Sequence, residues 1–278
     1  MRRLRAAIVC ALTAALFCGA GVVAVPAFAD GPSVRISTTD VANALQGVTA
    51  IDPSLLAVAP PSLQEAGSAA VADLGDGRSV RVPLNPEGTV ELGGLEESVL
   101  PIGLPDRDGG GRGELLDGAV AFSSTKRSSN AVIPTQMGVQ ILTSIMSVDA
   151  PTRYDYEITL DEGQRLELAN GGVVLLSADG SVVAAAAPPW AKDASGKDIP
   201  TRYEVAGRTL TQIVDHVKVA DTAYPVVADP LWLAPWVVRC LMGLGLNSVQ
   251  ITRIAPSGSI WAIAGSFGYA AVRCLLWR

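Results

Sequence analysis

The sequence predicts a mainly β protein, an antiparallel sandwich or barrel-like sheet, with an N-terminal signal peptide and a C-terminal two-helix apolar hairpin. Three observations predict it. Between residues 78 and 230, short alternating runs rich in β-branched and aromatic residues recur at roughly the 8–12-residue spacing of all-β folds. Turn residues bound these runs, with Asn170-Gly171-Gly172 and Asp179-Gly180 as hairpin signals that accept positive φ. After residue 231 the period changes to that of apolar helices, and Asp and Glu disappear.

The chain has 278 residues, 49% hydrophobic and only 17% charged, enough for one or two domains with a real core. Met1-Arg2-Arg3-Leu4-Arg5 is a basic start, residues 6–25 are apolar, and Ala27-Phe28-Ala29 is a small-x-small cleavage site. Cleavage after Ala29 leaves Asp30 first. An uncleaved anchor is the competing reading, but the apolar run is barely long enough to span a bilayer. Bulky Phe17 ahead of Cys18 argues against a lipoprotein signal. The expected location is therefore secreted or extracellular, in association with the cell envelope.

Residues 30–77 are rich in Ala, Ser, Pro and Gly and are expected to form a spacer, of low order or with short helices at 41–45 and 63–74. Pro53, Pro60 and Pro61 forbid a long one. The β-rich domain is expected over 78–230, with strands at 79–84, 89–92, 119–123, 138–146, 154–160, 165–168, 172–176, 182–186, 202–205, 209–216 and 224–227. Clean alternation at Tyr154-Asp155-Tyr156-Glu157-Ile158 predicts one wet face and antiparallel pairing. Residues 104–113 (LPDRDGGGRG) are expected to be a loop, and the glycine run lacks the Lys-Ser/Thr of a phosphate loop. Pro151-Thr152-Arg153-Tyr154 returns as Pro200-Thr201-Arg202-Tyr203, either a duplicated half-sheet or two ordinary strand starts.

Composition argues against most chemistries. His216 is the only histidine, so no multi-histidine zinc site can form. Asp215 and His216 are adjacent in an expected strand and point to opposite faces, so the aspartate cannot orient the imidazole as a triad requires. No Gly-x-Ser-x-Gly elbow is present. Asp155, Glu157, Asp161 and Glu162 read as solvated acidic residues rather than a glycosidase pair. Asp106-x-Asp108-Gly109 lacks the downstream ligands of a calcium loop. The expectation is a non-enzymatic protein with no catalytic residue, metal, cofactor or evident small-molecule substrate.

Charge divides the chain. Residues 30–230 hold 14 basic and 27 acidic residues, which argues against nucleic-acid binding there. Residues 231–278 hold four arginines and no acidic residue, together with four of the five tryptophans. Helices are expected at 233–246 and 260–277, joined by a connector that is extended at 249–252. Cys240 and Cys274, the two cysteines left after signal removal, are expected to pair in an oxidising compartment. Trp232, Trp236, Trp261, Tyr269 and Trp277 with Arg239 and Arg273 form an interfacial composition, pointing to a membrane surface or an envelope partner. The same apolarity also fits a tail docked on the β domain.

Pro188-Pro189-Trp190-Ala191, then Pro200-Thr201-Arg202-Tyr203-Glu204-Val205, then Tyr224-Pro225-Val226-Val227-Ala228-Asp229-Pro230 form a pattern. Over about residues 115–230 it resembles a group of uncharacterised exported proteins of actinomycete-type bacteria. These share a β-rich segment closing in Tyr-Pro-Val-x-Ala-Asp-Pro, followed by differing C-terminal extensions. The resemblance implies an exported carrier or scaffold module with interchangeable tails, and it assigns no catalytic residue. Two readings follow: a β domain that presents a bacteriocin-like, disulfide-closed tail, or an envelope structural or adhesive protein whose tail docks or drives oligomerisation.

Overall fold

In a computed structural model, residues 35–276 are described except 58–61, 95–96 and 255–259; the expected signal peptide and its Ala29–Asp30 cleavage site lie outside the described residues. The first element is a helix, α1 (Thr38–Ile51). Ser37 caps it: its hydroxyl accepts from the Asp40 N–H while the Asp40 carboxylate accepts from the Ser37 N–H, a reciprocal capping box. Val41, Ala44, Leu45 and Val48 recur at helical spacing and form its buried face.

Five strands follow as an antiparallel meander: β1 (Leu63–Ala66), β2 (Ala69–Gly75), β3 (Arg78–Pro83), β4 (Thr89–Gly94) and β5 (Glu97–Gly103). The expected spacer is thus substantially ordered, and 63–74 is strand where a short helix was expected. Small residues explain the misreading. Ala69, Ala70 and Ala72 have no strong β preference, but in β2 all three are buried in the sheet, and packing overrides propensity.

The largest sheet starts with β6 (Gly110–Leu116), β7 (Ala119–Ser124), β8 (Ser128–Thr135) and β9 (Gly138–Ile145). The glycine run expected to be loop enters β6. A Cβ at Gly113 would lie 2.8 Å from Val120 Cγ1, and one at Gly111 would collide with the Ser123 hydroxyl, so only glycine lets this strand approach β7. β8 is unannounced because it begins Ser-Ser-Asn and carries Pro134, yet every residue of β8 and β9 is buried. Alternation persists, but it separates two dry faces. Val120, Phe122, Val132 and Ile141 face the main core, whereas Ala119, Ala121, Ala131, Ile133 and Leu142 face the cluster beneath α1.

A three-stranded sheet holds β10 (Arg153–Glu157), β15 (Thr201–Ala206) and β16 (Thr209–Val214) in the order β10-β16-β15. The sequence echo falls here. Arg153 and Arg202 both register with Ile213, and Tyr154 and Tyr203 both register with Gln212. The two Pro-Thr-Arg-Tyr segments are equivalent starts on either side of one strand. The remaining strands, β11 (Arg165–Ala169), β12 (Gly172–Leu176), β13 (Val182–Ala186), β14 (Ala191–Lys192), β17 (Val226–Ala228) and β18 (Leu231–Leu233), extend the large sheet. Asn170 and Gly171 both take positive φ, 50° and 82°, in the two-residue turn of the β11–β12 hairpin.

Three helices end the chain: α2 (Pro235–Gly243), α3 (Ser248–Ile254) and α4 (Ile260–Leu276). The stretch expected to be extended at 249–252 is helical in α3; Asn247 accepts from the Gln250 N–H at 3.0 Å and starts it. Within α4 Gly268 leaves helical geometry at φ 82°, so the expected 260–277 helix is broken. Cys240 and Cys274 are paired with a Cα–Cα distance of 5.6 Å, inside the usual disulfide range. Among the described residues no helix is long and apolar enough to cross a membrane. The described residues of 35–276 form one compact unit.

Candidate functional site

The three segments of the Pro-Pro-Trp, Pro-Thr-x-Tyr and Tyr-Pro-Val-x-Ala-Asp-Pro pattern converge on Asp229. β17 pairs Val226, Val227 and Ala228 with Ile145, Ser144 and Thr143; β18 pairs Leu231, Trp232 and Leu233 with Gln140, Val139 and Gly138. The register is unbroken, so Asp229 and Pro230 sit inside one continuous line of pairing with β9. The Ile141 N–H donates to the Pro230 carbonyl at 2.9 Å between them. On the opposite edge, four residue steps from Ala228 to Trp232 face five from Ala191 back to Ala186, a bulge containing Pro188 and Pro189. Proline has no N–H, so this edge is short of backbone donors.

The Asp229 side chain fits that gap. The Trp190 N–H donates to Asp229 Oδ1 at 3.2 Å, while the Asp229 N–H donates to the Trp190 carbonyl at 3.3 Å. Oδ1 thus takes the place that a main-chain carbonyl normally holds in such a pair. Oδ2 accepts from Gln140 Nε2 at 3.1 Å. Gln140 is itself fixed: its Nε2 donates to the Leu55 carbonyl at 2.9 Å and its Oε1 accepts from the Ala57 N–H at 2.8 Å. Burial pushes the Asp229 pKa up to about 7, and these hydrogen bonds only partly offset it. Burial, with the nearby Asp229 carboxyl, also raises the Tyr156 and Tyr203 phenols. Tyr156 meets Thr143 Oγ1 at 3.3 Å, and the Tyr203 hydroxyl is buried with no hydrogen-bond partner among the described residues. The sequence pattern contains Trp190, Tyr203 and this aspartate but gives them no contact with one another, and Gln140 lies outside it. The available signal was a lone carboxylate within the apolar run Val226–Leu233.

His216 lies just beyond β16, in a 3-10 turn rather than in the strand expected to include it. Its Nε2 is 3.1 Å from the Pro151 carbonyl, which can only accept, so Nε2 carries the proton. Nδ1 then accepts from the Tyr224 hydroxyl at 2.8 Å. Both nitrogens are satisfied, and burial lowers the pKa, holding the ring neutral. Asp215 turns away to Lys218 and Arg202.

Two acidic candidates meet in a cleft of about 420 Å³ lined by Asp106, Asp108, Asp155 and Glu157 together with Arg107, Lys126 and Arg153. Asp155 accepts from Thr211 Oγ1 at 2.6 Å, and Glu157 from Thr209 Oγ1 at 2.8 Å and Arg208 Nε at 3.1 Å. Asp106 accepts from the Ser128 hydroxyl and lies 3.7 Å from Lys126 Nζ. The wall is one of mixed charge. Among the described residues no group of three or more His, Cys, Asp or Glu is arranged to hold a metal.

The expected contact residues of the tail divide sharply. Trp232 and Trp236 are 0% and 5% exposed and belong to the main core, with Trp236 Nε1 donating to the Gln136 carbonyl at 3.4 Å. Both turn inward: Trp232 lies in β18, paired with β9, and Trp236 lies in α2, which packs on β13. Arg239 and Arg273 are exposed. The side chains of Trp261, Tyr269 and Trp277 lie outside the described residues. The chain matches no protein-family model, and comparison with curated proteins and with solved structures gives no match.

Proposed function

We propose that this is an exported, non-enzymatic protein of the cell envelope, structural or adhesive, whose C-terminal segment docks on the β-rich portion and completes its core. The observation that carries the reading is the unbroken register of β17 and β18 on β9. The boundary expected at Pro230 falls within a central line of pairing rather than in a linker. Leu231, Trp232, Leu233, Val237, Val238 and Leu241 then join the same core as the strands. In this reading the apolar tail is a disulfide-stapled helical hairpin closing a sandwich-like body, and its exposed arginines face anionic envelope material.

A bacteriocin-like tail acting on a membrane is the competing reading. It would have to pull Trp232 and Trp236 from the core. Burial of such side chains is worth roughly 2–3 kcal/mol each, so that tail needs a prior release step.

Truncation after Pro230 separates the two readings. Docking predicts that residues 30–230 aggregate or melt well below the full chain. A soluble, folded fragment with an unchanged melting temperature overturns docking and favours the carrier.

A further inference from the structure

We propose that the outer surface of the docked C-terminal helices is a peripheral binding surface for an anionic lipid membrane, engaged with the tail in place. This rests on the docked-tail reading and names the partner that the docked tail meets.

Each of the three helices buries one side and turns an arginine outward on the other. In α2, Val237, Val238 and Leu241 are buried, whereas Arg239 and Met242, three residues apart and so on one side, are exposed. In α3, Ile251 and Ile254 are buried, whereas Val249 and Arg253, four residues apart, share the exposed side. In α4, beyond the break at Gly268, Arg273 is exposed between buried Val272 and Cys274. Both α2 and α3 pack on β13, so their outer sides turn away from the same strand. The disulfide adds α4. Arg239 and Arg273 each immediately precede a paired cysteine, and the cysteine Cα atoms are 5.6 Å apart. At about 3.8 Å per residue step, the two arginine Cα atoms lie within about 13 Å of each other.

Apolar groups sit beside these cations. Met242, Leu244 and Val249 are 37%, 45% and 39% exposed. Three of the eight exposed large hydrophobic residues among the described residues thus fall in one corner, 242–249, where isolated ones would need no explanation. The corner is built rather than loose. The Leu246 N–H donates to the Leu241 carbonyl at 3.2 Å, Gly245 takes φ 84°, and Asn247 starts α3.

Charge selects the partner. Residues 231–278 hold no acidic residue, whereas 30–230 hold 14 basic and 27 acidic residues. An anionic surface repels the body and attracts this end, which sets one orientation. A second copy docked face to face would set arginine against arginine. A soluble polyanion would meet the cations but offer the aliphatic side chains nothing. At a bilayer the guanidinium groups sit among lipid phosphates while Met242, Leu244 and Val249 enter the boundary of headgroup and acyl chain. Trp232 and Trp236 stay in the core, so no release step is needed.

The test is flotation of the oxidised full chain with phosphatidylcholine vesicles, without or with about 30% phosphatidylglycerol, at about 0.05 M and about 0.5 M salt. The expected result is binding to the anionic vesicles at low salt only, with the near-ultraviolet circular dichroism of the buried aromatic residues retained. The triple variant Arg239→Gln, Arg253→Gln, Arg273→Gln is expected to bind about a hundredfold more weakly, about fivefold per arginine. The pair Leu244→Ser, Val249→Ser keeps every arginine, and is expected to lose at least about fivefold with an unchanged melting temperature. The same triple change on the body, at exposed Arg81, Arg112 and Arg127, is expected to shift binding by less than about twofold. Equal binding to neutral vesicles, or an equal loss from the body triple, overturns the proposal. No binding by a chain that keeps its near-ultraviolet signal overturns the membrane surface and leaves the docked tail standing. Binding with that signal lost means that the tail was released, and overturns both.

Discussion

At the scale of single residues, two buried titratable groups, Asp229 and His216, oppose one another. The folded-state pKa of Asp229, about 7, lies above its unfolded value near 3.8, so the folded chain binds the proton more tightly. Its contribution is favourable at low pH and is lost as pH rises toward 7. His216 has the opposite sign: burial depresses its pKa, so stability is lost as pH falls below the ordinary histidine range. For Asp229 the linkage amounts to roughly 2–3 kcal/mol of lost stability between about pH 5 and about pH 8. Asp229→Asn removes the ionisation while retaining an acceptor for the Trp190 N–H. Its unfolding free energy, measured by urea titration, is expected to vary with pH by that much less than the wild type. An identical pH dependence in the two proteins would show that Asp229 is not the titrating group. The sequence exposed the aspartate and its neighbouring prolines, but not its partners. Gln140 lies 89 residues away and Trp190 lies 39 away, and no local periodicity encodes such pairings.

At the scale of elements, legibility followed contrast between faces. Strand β10 was plain because Tyr154 and Tyr156 are buried while Asp155 between them is exposed. Strand β8 was not, because both faces are dry and its polar residues are satisfied internally. Asn130 Nδ2 donates to the Pro105 carbonyl at 2.8 Å, and Asn130 Oδ1 accepts from Thr143 at 3.2 Å. Helix α3 was hidden for another reason: its β-branched residues suit a strand locally, yet Ile251 and Ile254 are buried in the core from a helix. The cysteine pair was legible from the cysteine count together with the expectation of export. It joins α2 to α4 across 34 residues. Closing a loop of that length is worth about 3–4 kcal/mol on chain-entropy grounds. The double variant Cys240→Ala, Cys274→Ala is expected to lose that much stability in a denaturant titration, with α2 retained by its contacts with β13. A loss below about 1 kcal/mol would mean that core packing alone holds α4.

At the scale of the whole molecule, the division inferred from charge and composition does not coincide with the division of the core. Acidic and basic residues sort by surface, and surface charge carries little information about which apolar side chains meet. Ala70 and Val80 of the first sheet, Phe122 and Ile141 of the large sheet, Leu210 of the small one, and Val238, Ile251 and Val272 of the C-terminal helices belong to one buried cluster. Gly138 shows how closely the last strand is fitted: a Cβ there would collide with the Trp232 carbonyl. A core shared in this way couples the sheets and the helices, and a coupled core unfolds as one. The expected outcome is a single thermal transition for the oxidised chain. The near-ultraviolet signal of its buried aromatic residues and the far-ultraviolet signal of its strands should share one midpoint. If the tail were a separately folded passenger, the tryptophan signal would be lost first while the strand signal persisted. Coincident midpoints are therefore the outcome that a core shared by strands and C-terminal helices predicts.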